Sequence, residues 1–410
     1  IVTSTISNKN PELLKAQELG IKILQRFEAI NLIIQGYKNR VGIFGGAGKT
    51  TTTAITFFLF QAAGLLPSIF LGSVLNDLKS SVHLEVSKEY CIFETDESDA
   101  SFKDMNMNSG IFVAMEGDHL EHKSYNGSYE TMKQFFAEFL EKLNKEDAKL
   151  SINIDSADTL NLATQCCKNY KTFSINTKEA TFFADNFKFT KGGMNFDIYK
   201  ERVLFMENVF MPLIGKFIAL NVLGGISQLS FFVSDDILKT AILKLRSFEG
   251  VDKRQVKVGS FNGFDIIDDY AHSPLKIQSI LNGFSEYTNA MNYGLIPVCE
   301  IHKFSRLKSM YNEFLVSFKE VKLIVFMDIY AVAGYAGDKI DIKDFIKDLQ
   351  KQNPNLEILH FTNANLHKEL LNLMNREEFK NKPHNILLFF GAGLATKYAK
   401  QMQNLLESIS

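Results

Sequence analysis

The sequence predicts an α/β fold with mostly parallel sheets, and three observations carry that prediction. Strand-like and helix-like segments alternate along nearly all of the 410 residues. The glycine-rich turn Gly45-Gly46-Ala47-Gly48 stands between a short apolar run and a helical run. In that setting backbone N–H groups point at an anion. The acidic run Glu94, Asp96, Glu97 and Asp99 follows another apolar segment, and ligands gather at the ends of strands in such sheets.

Taken in order, residues 1–5 read as a strand and residues 11–19 as a helix. Residues 40–44 are the strand that feeds the glycine-rich turn, and residues 54–63 are the helix that leaves it. Strands are expected at 90–93, 111–115 and 150–154, with an amphipathic helix at 129–143 between the last two. Residues 183–210 hold several short strand-like pieces and are expected to be antiparallel. Beyond a helix at 236–245 the alternation resumes, with strands at 264–267, 295–298, 323–327 and 386–390.

The length exceeds one compact core, so two or three domains are expected, with a boundary at 248–251. A hydrophobic fraction of 46% and a charged fraction of 22% are those of a soluble globular protein. A net charge of −2 argues against a general nucleic-acid binder. Cys91, Cys166, Cys167 and Cys299 form no CxxC pair, so neither a zinc nor a disulfide framework is expected, and a reducing cytoplasm fits. Two long uncharged or nearly uncharged runs need a decision. Residues 54–75 are interrupted by Gln61, Gly64 and Pro67, and residues 210–233 contain Lys216, Asn221 and Gln228. Both read as buried core segments, not membrane spans. The chain opens on Ile1 with no signal peptide, as a fragment or trimmed chain would.

The chemistry begins at Gly45, Gly46, Ala47, Gly48, Lys49, Thr50 and Thr51. A lysine beside such amides holds β and γ phosphates, and the following hydroxyl holds Mg²⁺. A strict Walker A pattern would have glycine at position 43, where Ile43 stands. The carboxylates of 94–99 repel one another unless a cation or solvent compensates, and beside a phosphate loop Mg²⁺ is the natural partner. Glu116, Asp118, His119, Glu121 and His122 form a weaker carboxylate–imidazole cluster after the next strand. Asp268-Asp269-Tyr270-Ala271-His272-Ser273-Pro274 ends a late strand, and His302-Lys303-Phe304-Ser305-Arg306 gathers cations that suit a carboxylate or phosphate.

In this order the motifs resemble the Mur ligases of peptidoglycan synthesis. The family's GTHGKTTTT appears as GGAGKTTTT at 45–53, and its EADESDASF as ETDESDASF at 94–102. Its DDYAHHP appears as DDYAHSP at 268–274, its PHRYSR as IHKFSR at 301–306, and its closing GAG as Gly391-Ala392-Gly393. The resemblance implies a central P-loop ATPase domain at 39–248 and a C-terminal Rossmann-like domain at 249–410. Residues 1–38 would be the remnant of an N-terminal UDP-sugar-binding domain.

The spelling is nearest the alanine-adding members, which implies UDP-N-acetylmuramate and L-alanine as substrates and ATP with Mg²⁺ as cofactors. By the same resemblance Glu94 joins Thr50 at Mg²⁺ and His119 stands near a second metal. Asp268, Tyr270 and His272 would contact the nucleotide. Lys303 and Arg306 would hold the amino-acid carboxylate or an acyl phosphate, with domain closure assembling the site.

The chain departs from the family at Gly46-Ala47, Ala114, Phe217, Ile218, Ser273 and Lys303. The resemblance implies that the family's side chains at these two places help hold metal and adenine, and Phe217 and Ile218 carry no polar side-chain atom to do so. Other readings therefore stand beside an alanine-adding ligase: a ligase for another amino acid or peptide, a relative that binds nucleotide without turnover, and a plain phosphate-loop NTPase.

Overall fold

The strand Asn39–Phe44 runs through a ten-stranded sheet, between Tyr90–Glu94 and Ser109–Phe112 and parallel to both. The computed structural model describes residues 1–3, 6–117, 119–120, 122–331 and 340–408. They form two compact units. One comprises residues 1–186, 196–210 and 219–249, and the other 187–195, 211–218 and 250–410.

In the first unit the order Lys149–Asn153, Ser109–Phe112, Asn39–Phe44, Tyr90–Glu94, Pro67–Leu75 is parallel throughout. Ser80–His83 adds an antiparallel edge beside Pro67–Leu75. Phe182–Thr190, Gly193–Lys200 and Val203–Met211 follow one another at the far edge. Two-residue links join them, and only antiparallel strands can be joined so tightly. Glu201 (φ 51) and Arg202 (φ 69) take the left-handed conformations of a type I′ turn.

The apolar face of Tyr129–Lys145 carries Met132, Phe136, Phe139, Leu140 and Leu143, spaced to fall on one side of a helix and all buried. Phe136 stacks on Phe102 (centroids 4.3 Å apart) and on Phe112 (5.2 Å), and Phe112 stacks on Phe44 (4.9 Å). Phe102 ends the acidic stretch, so this cluster anchors the acidic loop to the sheet. Each such ring contributes roughly 2 kcal/mol by burial.

The helix after the glycine-rich turn is Lys49–Ala62, which starts five residues earlier than its apolar pattern suggests. Thr51, Thr52 and Thr53 are buried in its first turns. The Thr53 and Thr56 hydroxyls donate back to the carbonyls of Lys49 (2.8 Å) and Thr52 (2.7 Å), which lets polar β-branched residues line a buried helix. The apolar run 54–75 resolves into this helix and the strand Pro67–Leu75. The run 210–233 holds the helix Lys216–Leu229. No described helix is long and apolar enough to cross a membrane. The expected strand at 1–5 is reduced to a single bridge from Val2 to Gln25, and Ser4 and Thr5 lie outside the described residues. All four cysteines are free and buried.

The second unit is a six-stranded sheet in the order Val256–Phe261, Phe264–Asp269, Asn385–Phe390, Gly294–Cys299, Leu323–Phe326, Glu357–His360. Only the first pair is antiparallel. Asp269 and Cys299 both pair with Phe390, and Cys299 also pairs with Phe326. Four strands thus end at one level, and the loops that leave them share one end of the sheet. Both units have the mixed α/β, mostly parallel architecture expected from the sequence.

Candidate nucleotide and ligase site

In the first unit three loops leave the sheet together, because Ile43 pairs with Glu94 and Phe44 with Phe112. The phosphate loop is shaped by its glycines. Gly45 has φ +118, and a Cβ there would lie 2.3 Å from the Ala114 carbonyl oxygen. Gly48, at φ +93, precedes the helix, and a Cβ on it would lie 2.8 Å from Asn221 Oδ1. The Gly46 amide donates to the Ala114 carbonyl (2.7 Å), tying the loop to the strand end beside it.

Lys49 folds back over this loop. Its Nζ donates to the carbonyls of Gly45 (2.7 Å) and Gly46 (2.8 Å) and forms an ion pair with Glu97. Burial pulls the ammonium's pKa down, but Glu97 and then Glu94 outweigh it, so the lysine is held protonated. The Thr50 hydroxyl donates to Glu94 Oε1 (2.9 Å), and the Gly72 amide donates to Glu94 Oε2 (3.1 Å). Two hard-oxygen groups at hydrogen-bond distance, beside the glycine-rich loop, fit Mg²⁺.

The other two carboxylates of the acidic run serve their own loop. Asp96 accepts from the Ser98 amide (3.0 Å) and Asp99 from the Ser101 amide (2.9 Å). Asp96 also meets Arg26 at 3.4 Å on the surface. The four acids therefore divide, with Glu94 and Glu97 facing the phosphate loop. His119 stands in the loop after Ser109–Phe112 with φ 64, and its carbonyl accepts from the His122 amide (3.0 Å). Asp118 and Glu121 lie outside the described residues. Among the described residues no three His, Cys, Asp or Glu side chains form a group able to hold a metal. Thr51 is buried in the first turn of the helix, and Ala47 is half-buried in the loop.

A second set gathers at the strand ends of the other unit. Asp268 is buried, and burial pushes its carboxyl up to about 6, with Thr396 pulling the other way. Asp269 accepts from the amides of Ala271 (2.8 Å) and Gln255 (3.0 Å). His272 Nδ1 lies 2.6 Å from the Tyr270 carbonyl, and its ring meets Tyr270 edge-on at 4.8 Å. Arg254 lies over the Tyr270 ring at 4.9 Å. His272 approaches His302 at 6.1 Å, and His302 stacks on Tyr330 (5.0 Å, 14° between planes). Lys303 follows, and the buried Arg306 donates to the His302 carbonyl at 3.3 Å. Burial and then Arg306 and Lys303 hold the His302 imidazole below its usual range.

The structure thus brings 45–51 together with Glu94, and Asp268, Tyr270 and His272 together with the His302–Arg306 turn, in separate units. Sequence reasoning missed Glu97 as the partner of Lys49, because four acids at similar spacing look alike. It also missed Tyr330, which no motif marks. Phe217 packs against the apolar core of the second unit, and Ile218 is buried.

A glycine-rich strand–turn–helix with a buried lysine and a Thr–carboxylate pair defines a phosphate-binding α/β protein. A family profile described as "Mur ligase middle domain" matches residues 43–228. The UDP-N-acetylmuramate--L-alanine ligase of Caldicellulosiruptor bescii is 30% identical over 349 residues, spanning 84% of this chain and 74% of that relative. The Pelagibacter ubique protein of the same name is 30% identical over 417 residues, spanning 99% and 85%. The crystal structure of UDP-N-acetylmuramate-alanine ligase from Thermotoga maritima superposes with a TM-score of 0.78 at 20% identity, covering 100% of this chain and 85% of that one. This chain belongs to the Mur ligase family.

Proposed function

We infer that this chain is an ATP-dependent amide-forming ligase that joins L-alanine to UDP-N-acetylmuramate in peptidoglycan precursor synthesis. The observation that carries the reading is the phosphate loop with its Lys49–Glu97 and Thr50–Glu94 pairs, in a chain 30% identical to ligases of that name.

The reaction makes and breaks bonds in two stages. A substrate carboxylate oxygen attacks the γ-phosphorus and ADP leaves, giving an acyl phosphate. The alanine nitrogen then attacks the acyl carbon, loses a proton, and phosphate leaves. The loop amides and Lys49 neutralise charge on the transferring phosphoryl group. Thr50 and Glu94 would hold Mg²⁺, which supplies neutralisation of the phosphate oxygens. His119 would stand near a second metal. Asp268, Tyr270 and His272 would contact the nucleotide, and Lys303 and Arg306 would hold the alanine carboxylate or the acyl phosphate. We assign residues 1–38 to a UDP-sugar-binding remnant, 39–248 to ATP binding and 249–410 to the amino-acid and nucleotide domain. We place the protein in the cytoplasm, where these substrates meet.

A second reading, nucleotide binding without turnover, is favoured by one observation: Phe217 packs on an apolar core, Ile218 is buried, and neither side chain offers a hydrogen bond. Phosphate release with Mg-ATP and UDP-N-acetylmuramate, with and without L-alanine, separates the two. Alanine-dependent release that Lys49→Ala lowers by about a hundredfold or more supports the ligase. Bound nucleotide with no alanine-dependent release in the protein carrying a full UDP-sugar-binding domain supports the second reading.

A further inference from the structure

Glu300 has no part in the reactions above, yet its side chain is wholly buried. It stands one residue beyond Gly294–Cys299 and faces the first turn of the helix Ala395–Ser408. Its carboxylate accepts from the amides of Gly393 (2.9 Å), Leu394 (2.9 and 2.8 Å to its two oxygens) and Ala395 (3.3 Å). The chain's own carboxylate thus fills the seat that a helix start offers to an anion.

That seat adjoins the aromatic line. A Cβ on Gly393 would lie 2.5 Å from Tyr330 Cδ2 and 2.7 Å from Glu300 Oε2, so the turn rests directly against Tyr330. Tyr330 in turn lies flat on His302, two residues after Glu300. The Tyr330 amide donates to the Ile301 carbonyl at 3.0 Å, tying the two strand ends together.

We propose that Glu300 is a positioning residue for the His302–Arg306 turn. It clamps the Gly391–Ala395 turn behind Tyr330, and Tyr330 sets the plane of the His302 imidazole. A carboxylate suits the task because it accepts several amides at once, whereas a carboxamide would set its NH₂ against them. The geometry stands without the ligase reading, and only the effect on turnover rests on it.

The test follows the His302 ring resonances by NMR in the full chain with isotope-labelled histidine. His302→Gln identifies the signal, and Tyr330→Leu gives its position without the stacked ring. Glu300→Gln is expected to move the signal most of the way to the Tyr330→Leu position, and Glu300→Asp to restore part of the shift. A helix cap with no positioning role would lower the melting temperature and leave the His302 signal in place, and that result overturns the proposal. Should Glu300→Gln not fold, Gly393→Ala presses on the same turn with the carboxylate kept. It must move the same signal, and an unmoved signal again overturns the proposal. In the phosphate-release assay Glu300→Gln is expected to lower kcat/KM for L-alanine about tenfold, with the KM for Mg-ATP changed by less than about twofold. Equal losses on both substrates count against positioning. If alanine-dependent release is absent in the assay that separates the two readings above, the ligase reading fails while the NMR result still decides the role of Glu300.

Discussion

Lys49 is paired with Glu97 inside its own phosphate loop, with only 11% and 8% of the two side chains exposed. The ammonium that would meet phosphate is already paired with a neighbouring carboxylate and donates to two loop carbonyls. Phosphate must therefore compete with Glu97 for the same cation. Glu97→Gln leaves a buried ammonium short of a counter-charge, which is expected to destabilise the free protein by about 3 kcal/mol. Mg-ATP should then raise the melting temperature more in the variant than in the parent. Equal shifts in a thermal-melting series would show that Glu97 and phosphate do not share Lys49.

Thr50 and Glu94 meet at 2.9 Å at the start of the helix. Thr50→Ala and Glu94→Gln would each remove one oxygen from the proposed Mg²⁺ position. The Mg²⁺ concentration for half-maximal phosphate release is expected to rise roughly tenfold or more in either variant. A Mg²⁺ titration with unchanged midpoints would place the metal elsewhere.

Asp268 links the second set to pH. Burial raises its carboxyl to about 6 in the folded chain, above the unfolded value of about 3.9. Between these values the folded state holds more protons than the unfolded one, so stability falls as pH rises through about 6. Asp268→Asn removes that dependence. The variant should gain up to about 3 kcal/mol over the parent above pH 7 and nothing below about pH 4. Urea unfolding across this range decides it, and parallel pH profiles for the two proteins would refute the assignment.

Gly45 cannot accept a side chain. Its φ of +118 is strained for any L residue, and a Cβ would meet the Ala114 carbonyl oxygen at 2.3 Å. Gly45→Ala is expected to cost more than about 2 kcal/mol in urea unfolding and to weaken nucleotide binding in calorimetry. Gly64→Ala, at an open turn with nothing within 4 Å, should cost less. Equal costs would mean that the loop relaxes freely.

How much of this was legible in the sequence follows from where the chemistry lies along the chain. Residues 45–51 and 94–102 are contiguous, so spacing alone exposed them. Tyr330 is brought to His302 by the pairing of Gly294–Cys299 with Leu323–Phe326, and the Gly393–Ala395 amides are brought to Glu300 by a strand order that sets Asn385–Phe390 beside Gly294–Cys299. No local pattern records that order. The helix start at Lys49 was hidden by four β-branched threonines, and the Thr53 hydroxyl that donates back to the Lys49 carbonyl appears only in the structure. The expected strand at 1–5 rested on β-branched composition, and among the described residues it survives as the bridge from Val2 to Gln25.

The shared register of Asn39–Phe44, Tyr90–Glu94 and Ser109–Phe112 makes the site a matter of counting. One residue added within any of these strands would turn its side chains to the opposite face and lift its loop out of level with the other two. The same addition at the hairpin tip Glu201–Arg202 would displace nothing in the phosphate loop. Divergent relatives can therefore change length at such tips and respell their loops, while these three strands must keep their length.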